Sequence, residues 1–142
     1  MDYEKDFLKI PRTCPFCKPK ENDILKSNKS AYLTYALAPY HKDHLLVISK
    51  RHITEILDLT DEEVCDIYEL NKEALIILKK LGYKDISVLI RDGDNTMKTV
   101  DHLHYNIIPN TRLGDIDHVG VGRVILTPEE ISETITRIRS VI

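Results

Sequence analysis

The sequence predicts an α+β fold with a mostly antiparallel sheet, and two patterns support this. Short apolar runs typical of strands recur along the chain, and one long stretch has the spacing of an amphipathic helix. Helices do not alternate with every strand, as they would in a parallel α/β fold. The length of 142 residues, with 42% hydrophobic and 30% charged residues, suits a single domain over residues 1–142.

The first half of the chain contains two predicted strands. Ala31–Leu37 has strand composition and is ended by Pro39. Leu45–Ile48 is a short continuous apolar run, which is typical of a buried strand.

The clearest helix is predicted over residues 60–81. Thr60 and Glu63 have the spacing of a capping box, and Gly82 is well placed to end the helix. Apolar residues at helical spacing predict its buried face: Val64, Ile67, Tyr68, Leu75, Leu78 and Leu81. Cys65 lies beside this row, and we expect it to be a small core residue.

The second half of the chain adds three predicted strands and a last helix. The strands are Ile86–Ile90, Val100–Ile108 and Val121–Leu126. Thr127 and Glu130 have capping-box spacing around Pro128, which suits the first helical position. Isoleucines at helical spacing give this helix an apolar row: Ile131, Ile135, Ile138 and Ile142.

Charge and cysteine content exclude several classes of protein. The formal net charge of −3 argues against a dedicated nucleic-acid binder. No apolar run approaches the roughly 20 residues of a membrane helix, so we expect no membrane partner. The polar start of the chain is unlike a secretory signal, and the three cysteines make a poor disulfide framework. We therefore expect a reducing, cytoplasmic setting.

A polar row is predicted on one strand of the second half. Side chains of a strand alternate between its faces, so His102, His104 and Asn106 should share one face. Polar groups in such a row need partners, because burying them unpaired is costly. A metal, a phosphate or a substrate could be that partner. A half-exposed strand with its polar side toward solvent is the alternative.

Cys14 and Cys17 have the spacing of two thiolate metal ligands. A tetrahedral zinc site needs two more ligands, for which histidine is the remaining source: His41, His44, His52, His102, His104 and His118. The alternative is a thioredoxin-type redox pair, which should open a helix. Pro15 and Pro19 make helix entry awkward, so we rank a metal site above a redox pair.

Four stretches together resemble the histidine triad (HIT) superfamily and its galactose-1-phosphate uridylyltransferase-type relatives. They are Cys14–Cys17, Pro39–Ile53, Leu57–Glu63 and Val100–Pro109. The last resembles the His-x-His-x-His signature of the family, with Asn106 at its third position. The resemblance implies a half-barrel of antiparallel strands with one long helix and a C-terminal helix, often paired as a homodimer.

The resemblance also implies a reaction and a zinc site. Family enzymes act on nucleotides at the α-phosphorus, here through His104, and form a covalent nucleotidyl-histidine that water or another phosphate removes. Structural zinc ligands, carried over by position, would be Cys14, Cys17, His52 and His102. An imidazole suits the nucleophile because its ordinary pKa of about 6.5 leaves it neutral near pH 7.

Other positions match the family in part. The resemblance makes Arg91 and Thr99 candidates for phosphate contact, and His44 a residue that steadies His104. Asn106 offers a donor and an acceptor but cannot take a charge. Ala36 replaces a residue that grips ribose hydroxyls in relatives, and Met97 replaces a common Gly.

Two hypotheses follow from this pattern. The first is a zinc-containing nucleotide hydrolase or nucleotidylyltransferase, acting through His104 with Asn106 beside it. The second is a catalytically weak protein on the same fold, which binds a nucleotide or another phosphate ligand and is motivated by Ala36, Met97 and Asn106. A zinc-ribbon protein for nucleic acid is disfavoured, because the charge is wrong and the second ligand pair is not a knuckle.

Overall fold

A computed structural model describes residues 13–93, 100–111 and 127–140. The chain divides into two compact units, residues 1–111 and 112–142. The predicted strand Val121–Leu126 lies outside the described residues, as do Met97 and Thr99. That residues 1–142 form one domain stays a prediction.

The described residues of the first unit form one five-stranded sheet in which every neighbouring pair is antiparallel. Its strands are β1 (Lys26–Ser27), β2 (Ala31–Tyr35), β3 (Leu45–Ser49), β4 (Ile86–Ile90) and β5 (His104–Pro109). Their order across the sheet is β1-β2-β3-β5-β4, so β5 lies between two partners. Single 3-10 turns lie at Glu21–Asp23 and Ile56–Asp58. The predicted α+β class with an antiparallel sheet is confirmed.

The long helix α1 runs from Asp61 to Lys80. Thr60 and Glu63 form the predicted capping box, in which each side chain accepts a hydrogen bond from the backbone N–H of the other. The helix ends before Gly82, whose φ of +97° lies in the left-handed region that favours glycine. Its N–H donates to the Lys79 carbonyl, which satisfies one of the last carbonyls of the helix.

One face of the sheet packs against α1 and forms the main core. Leu33, Val47 and Ile107 are fully buried on this face. From α1 they meet Ile67, Leu70, Ala74 and Leu78. Burial of each large aliphatic side chain contributes about 1.5–3 kcal/mol. Because α1 covers this face of the sheet, a site on the sheet must lie on the opposite face.

The apolar surface of α1 is wider than the side that the sheet covers. Val64 and Tyr68, predicted for the buried face, are 46% and 66% exposed, and Leu81 is also exposed. The prediction that Cys65 is a core residue is wrong, because its side chain is exposed. At 100° per residue, Cys65 lies on the side of α1 opposite Ala74.

β5 begins later than its predicted strand. It starts at His104, and residues 100–102 form bends instead of ladder pairs. The N–H of Leu103 donates to the Ile53 carbonyl at 2.7 Å, and the N–H of Ser49 donates to the Leu103 carbonyl at 3.4 Å. His102 therefore belongs to a segment bound to the loop after β3, and not to the strand.

In the second unit, α2 runs from Pro128 to Arg139. Thr127 and Glu130 form the predicted capping box. Ile131 and Ile135 are exposed, while Ile142 and the side chain of Ile138 lie outside the described residues. In the part of the chain that the structure describes, neither α1 nor α2 has the length and apolar character needed to cross a membrane.

Candidate active site and metal centre

β5 positions His104 and Asn106 on the face of the sheet opposite α1. In the β3–β5 pair, His104 lies across from Ile48 and Asn106 across from Leu46. Directly opposite residues in antiparallel strands project from the same face, so both polar side chains share a face with this apolar pair. Because β5 pairs on both sides, its backbone is a stiff support for the two side chains.

The ring of His104 is held in one tautomer by the backbone. Its Nδ1 lies 2.6 Å from the carbonyl oxygen of His102. A carbonyl only accepts, so Nδ1 must carry the proton and donate it. The lone pair of the neutral ring then resides on Nε2, the nitrogen that points away from this carbonyl. A half-buried imidazole with that electron distribution has the properties of a nucleophile.

Asn106 is fixed by hydrogen bonds at both ends of its amide. The backbone N–H of Tyr40 donates to Nδ1 of His44 at 3.3 Å, which leaves the ring proton of His44 on Nε2. That Nε2 donates to Oδ1 of Asn106 at 3.1 Å, and Nδ2 of Asn106 donates to the Leu89 carbonyl at 3.2 Å. His44 thus holds Asn106 in place, whereas sequence reasoning assigned it to His104.

His44 and Asn106 are both nearly inaccessible, at 3% and 6% exposure. Burial lowers the pKa of His44, although the hydrogen bond to Asn106 opposes that shift. The imidazole of His44 is therefore neutral near pH 7, in agreement with the donor and acceptor roles of its two nitrogens.

The four predicted metal ligands meet in one cluster. The ligand atoms of Cys14, Cys17, His52 and His102 all lie within 4.8 Å of one another. Nδ1 of His102 is 3.3 Å from Sγ of Cys14 and 3.5 Å from Sγ of Cys17, and Nδ1 of His52 is 3.1 Å from Sγ of Cys17. Tetrahedral zinc with ordinary bond lengths places sulfur and nitrogen ligands about 3.5 Å apart. Two thiols and two imidazoles at these distances fit a metal ion.

The backbone prepares His102 for this role. Its side chain is fully buried, and its Nε2 donates to the carbonyl of Ser49 at 2.6 Å. That bond directs the lone pair of Nδ1 toward the two thiols, as in metal sites where a second group orients the ligand. Burial lowers the pKa of His102, so the ring has the neutral form that a metal ligand requires.

An ion pair between the half-exposed Arg51 and the buried Glu63 holds the segment that carries His52. Arg51 donates from Nη2 to Oε1 of Glu63 at 2.7 Å and from Nε to Oε2 at 3.2 Å. The same carboxylate accepts from the N–H of Thr60 in the capping box. The start of α1 is thus tied to the residue just before His52.

Sequence reasoning missed the connection between the metal cluster and His104. Phe16, which lies between the two cysteines in sequence, packs edge to face against two histidine rings. The ring centroids are 5.9 Å apart for His102 and 5.1 Å for His104. The hydroxyl of Tyr32 donates to the Phe16 carbonyl at 2.6 Å. An aromatic residue inside a metal-ligand pair was the available signal, but its partners are distant in sequence.

The remaining positions singled out in the sequence are Arg91, Ala36, Thr99 and Met97. Arg91 follows the last residue of β4, and continuing the β4–β5 register places it opposite His104. Ala36, just after β2, packs against the cluster of Tyr32, Leu46 and Ile48 on the face of the sheet opposite α1. Thr99 and Met97 lie outside the described residues.

This chain matches the HIT domain family over residues 18–113 and belongs to that family. An adenosine 5'-monophosphoramidase of Schizosaccharomyces pombe is 35% identical over 127 residues, which cover 84% of this chain and 90% of the relative. An asymmetrical bis(5'-nucleosyl)-tetraphosphatase of the same organism is 29% identical over 105 residues, which cover 72% of this chain and 58% of the relative.

Solved structures give the same result for the fold. A HIT family protein from Bacillus subtilis superimposes with a TM-score of 0.69 at 22% identity, over 92% of this chain and 98% of that protein. The predicted HIT family and the HIT fold are confirmed.

Proposed function

We propose that this protein is an enzyme that cleaves nucleotides at the α-phosphorus through a covalent intermediate on His104. One observation carries this proposal: the 2.6 Å hydrogen bond from Nδ1 of His104 to the His102 carbonyl, which leaves the lone pair on Nε2. The relatives support the class of reaction, because they are named as a phosphoramidase and a tetraphosphatase of nucleotides.

The proposed reaction has two steps. In the first, Nε2 of His104 forms a bond to phosphorus, and the bond to the leaving group breaks with its electron pair. In the second, water or an acceptor phosphate attacks the same phosphorus, and the bond to Nε2 breaks and restores the neutral imidazole. Water gives hydrolysis, and an acceptor phosphate gives nucleotidyl transfer.

Two residues are proposed to contact phosphate oxygens during these steps. Arg91 lies at the end of β4 beside the row that contains His104, and a guanidinium can donate two parallel hydrogen bonds to a phosphate. Thr99 would add a hydroxyl donor. His44 would act on the substrate site through its hydrogen bond to Asn106.

We propose that the Cys14, Cys17, His52 and His102 cluster holds one structural zinc ion, as the resemblance to the uridylyltransferase-type proteins implies. The support is the donor set, with two thiolates and two imidazoles at spacings that suit tetrahedral zinc. Bound there, the ion would supply no chemistry to the reaction. It would fix His102, whose carbonyl accepts from His104.

The catalytically weak binding protein remains the second candidate. Its support is that Asn106 forms hydrogen bonds with His44 and Leu89, so that a neutral amide lies beside the proposed nucleophile. Such a protein would bind nucleotides and be stabilised by them without turning them over.

Covalent trapping separates the two candidates. Rapid acid-free denaturation after mixing with an adenine nucleotide, followed by peptide mass spectrometry, should find one nucleotidyl group on His104. His104→Ala should abolish the adduct and turnover while the protein stays folded and its metal content stays unchanged. The matched control His41→Ala should keep the adduct, since His41 bonds to the turn around Asp43. Binding without adduct or turnover in the wild type would favour the second candidate.

We also propose that two copies of the chain pair as a homodimer. The cytoplasmic location and the lack of a nucleic-acid partner stay predictions. Among the described residues, β4 pairs with β5 alone, and its Val88 is 47% exposed. The outer side of α1 adds Val64, Tyr68 and Ile76, at 46%, 66% and 44% exposure. Apolar strand edges and contiguous apolar patches are common interaction sites.

Sedimentation velocity tests the proposed dimer. Tyr68→Glu together with Val88→Glu should convert a dimer to a monomer with an unchanged circular dichroism spectrum. The control Leu57→Glu changes a side chain that is 90% exposed and precedes α1, so it should stay dimeric. A monomeric wild type at micromolar concentration would contradict the proposal.

A further inference from the structure

The side chain next to the proposed nucleophile carries no acidic proton. His104 and Asn106 project from the same face of β5, about 6.6 Å apart along the strand. A primary amide is not an acid near neutral pH, and the two hydrogen bonds of Asn106 hold it against His44 and Leu89.

Among the residues that the structure describes, the neighbours of Asn106 do not supply the missing proton. His44 is neutral and already donates its ring proton to Asn106. In the sheet register, Tyr32 shares the row of His104, and Thr34 shares the row of Asn106. The Tyr32 hydroxyl donates to the Phe16 carbonyl, and the Thr34 hydroxyl donates to the Asp23 carbonyl at 2.7 Å. Both hydroxyl protons in these two rows are therefore engaged away from the site.

The need for a proton depends on the leaving group. When a phosphorus–nitrogen bond breaks, the departing amine must receive a proton, because the amide anion is far too basic to leave. When a phosphoric anhydride breaks, the electron pair of the bond goes to the bridging oxygen. That oxygen leaves as part of a phosphate whose charge is stable near pH 7, so no proton transfer is required.

Resting on the proposed function, we propose that Asn106 makes this site selective for phosphoric anhydrides, such as dinucleoside polyphosphates, over phosphoramidates. Nε2 of His104 bonds to the α-phosphorus, and the remaining phosphate chain departs with the bridging oxygen and its electron pair. Water then attacks the phosphorus, the bond to Nε2 breaks, and the proton of the water goes to solvent. This selectivity differs from the activity in the name of the Schizosaccharomyces pombe phosphoramidase, despite 35% identity.

The test compares two substrates that both present an adenosine 5'-phosphoryl group to His104. We expect kcat/KM for diadenosine tetraphosphate to exceed that for adenosine 5'-phosphoramidate by about 100-fold or more, the range that general acid catalysis supplies. Asn106→His introduces an ionisable donor and should narrow this ratio at least tenfold by raising phosphoramidate cleavage. Asn106→Gln keeps an amide, so it should retain the wild-type ratio whatever its absolute rate.

Different results would overturn the proposed selectivity and the proposed His104 mechanism. Comparable kcat/KM values for the two substrates in the wild type would overturn the selectivity and leave the His104 mechanism standing. So would an Asn106→His variant with the wild-type ratio, provided that its thermal midpoint and metal content match the wild type. Absence of His104-dependent cleavage of both substrates would overturn the proposed function and the selectivity together.

Discussion

The ring of Phe16 meets the ring of His104 edge to face, with centroids 5.1 Å apart and an interplanar angle of 73°. Phe16 lies between Cys14 and Cys17, so a metal ion bound by these thiols would also fix the ring that packs against the nucleophile. The His102 carbonyl gives a second connection, since His102 is a ligand candidate and holds Nδ1 of His104. Order in the metal cluster and orientation of His104 are therefore physically coupled.

Phe16→Leu should slow the first chemical step while leaving substrate binding nearly unchanged. Leucine keeps most of the apolar volume but loses the aromatic edge, an interaction of about 0.5–1.5 kcal/mol. If that energy orients His104 in the transition state, kcat falls by about 2- to 10-fold. Rapid-quench measurement of adduct formation checks this, with metal content as the control. An unchanged rate of adduct formation would show that the ring does not orient His104.

Cys17→Ser should lower both metal content and stability, whereas Cys65→Ser should change neither. Both cysteines are exposed, but only Cys17 lies among the four clustered ligand atoms. Removing one thiolate weakens a structural metal site, and the binding energy of such a site contributes directly to folding. Elemental analysis and thermal unfolding, with and without a chelator, measure the effect. Equal zinc content in the two variants would contradict the proposed ligand set.

Local sequence signals predicted the elements well because they depend on near neighbours. The capping boxes at Thr60 and Thr127 each need only a residue three positions later, and both form as predicted. The break at Gly82 likewise follows from local backbone freedom. The order of strands across the sheet depends on pairing between segments that are distant in sequence. The pattern of residues along the chain therefore did not predict it.

The candidate site was predictable where a residue type has few alternative uses. The family resemblance chose His52 and His102 among six histidines, and the structure brings both to the cysteines. The contacts of His44 and Phe16 could not be predicted, because they depend on packing between segments far apart in sequence. The burial of Cys65 was predicted wrongly, because a row of apolar residues at helical spacing does not show how much of the helix surface the sheet covers.

A network around Glu63 ties the start of α1 to the loop that carries His52. Glu63 is 8% exposed, and its carboxylate accepts from Arg51 and from the N–H of Thr60. The hydrogen bond from Arg51, followed by that from Thr60, lowers the pKa of Glu63 from 4.5 to about 2. A lowered pKa means that the ionised carboxylate stabilises the folded state above pH 4.5, and that this contribution is lost as pH falls toward 2.

Glu63→Gln should therefore destabilise the protein near neutral pH and have less effect in acid. Gln still suits the third position of a capping box, but it removes the negative charge and one of the two oxygens that accept from Arg51. We expect a loss of about 1–2 kcal/mol at pH 7, below the full value of the pKa shift because the Arg51 side chain is half exposed and screened by solvent. Urea unfolding at pH 7, 4.5 and 3 should show the difference from wild type shrinking below pH 4.5. The control Glu62→Gln removes a carboxylate from an exposed pair with Lys29, so its effect should be small at every pH. A Glu63→Gln effect that is equally large at pH 7 and pH 3 would mean that the ionised carboxylate is not the source of the stability.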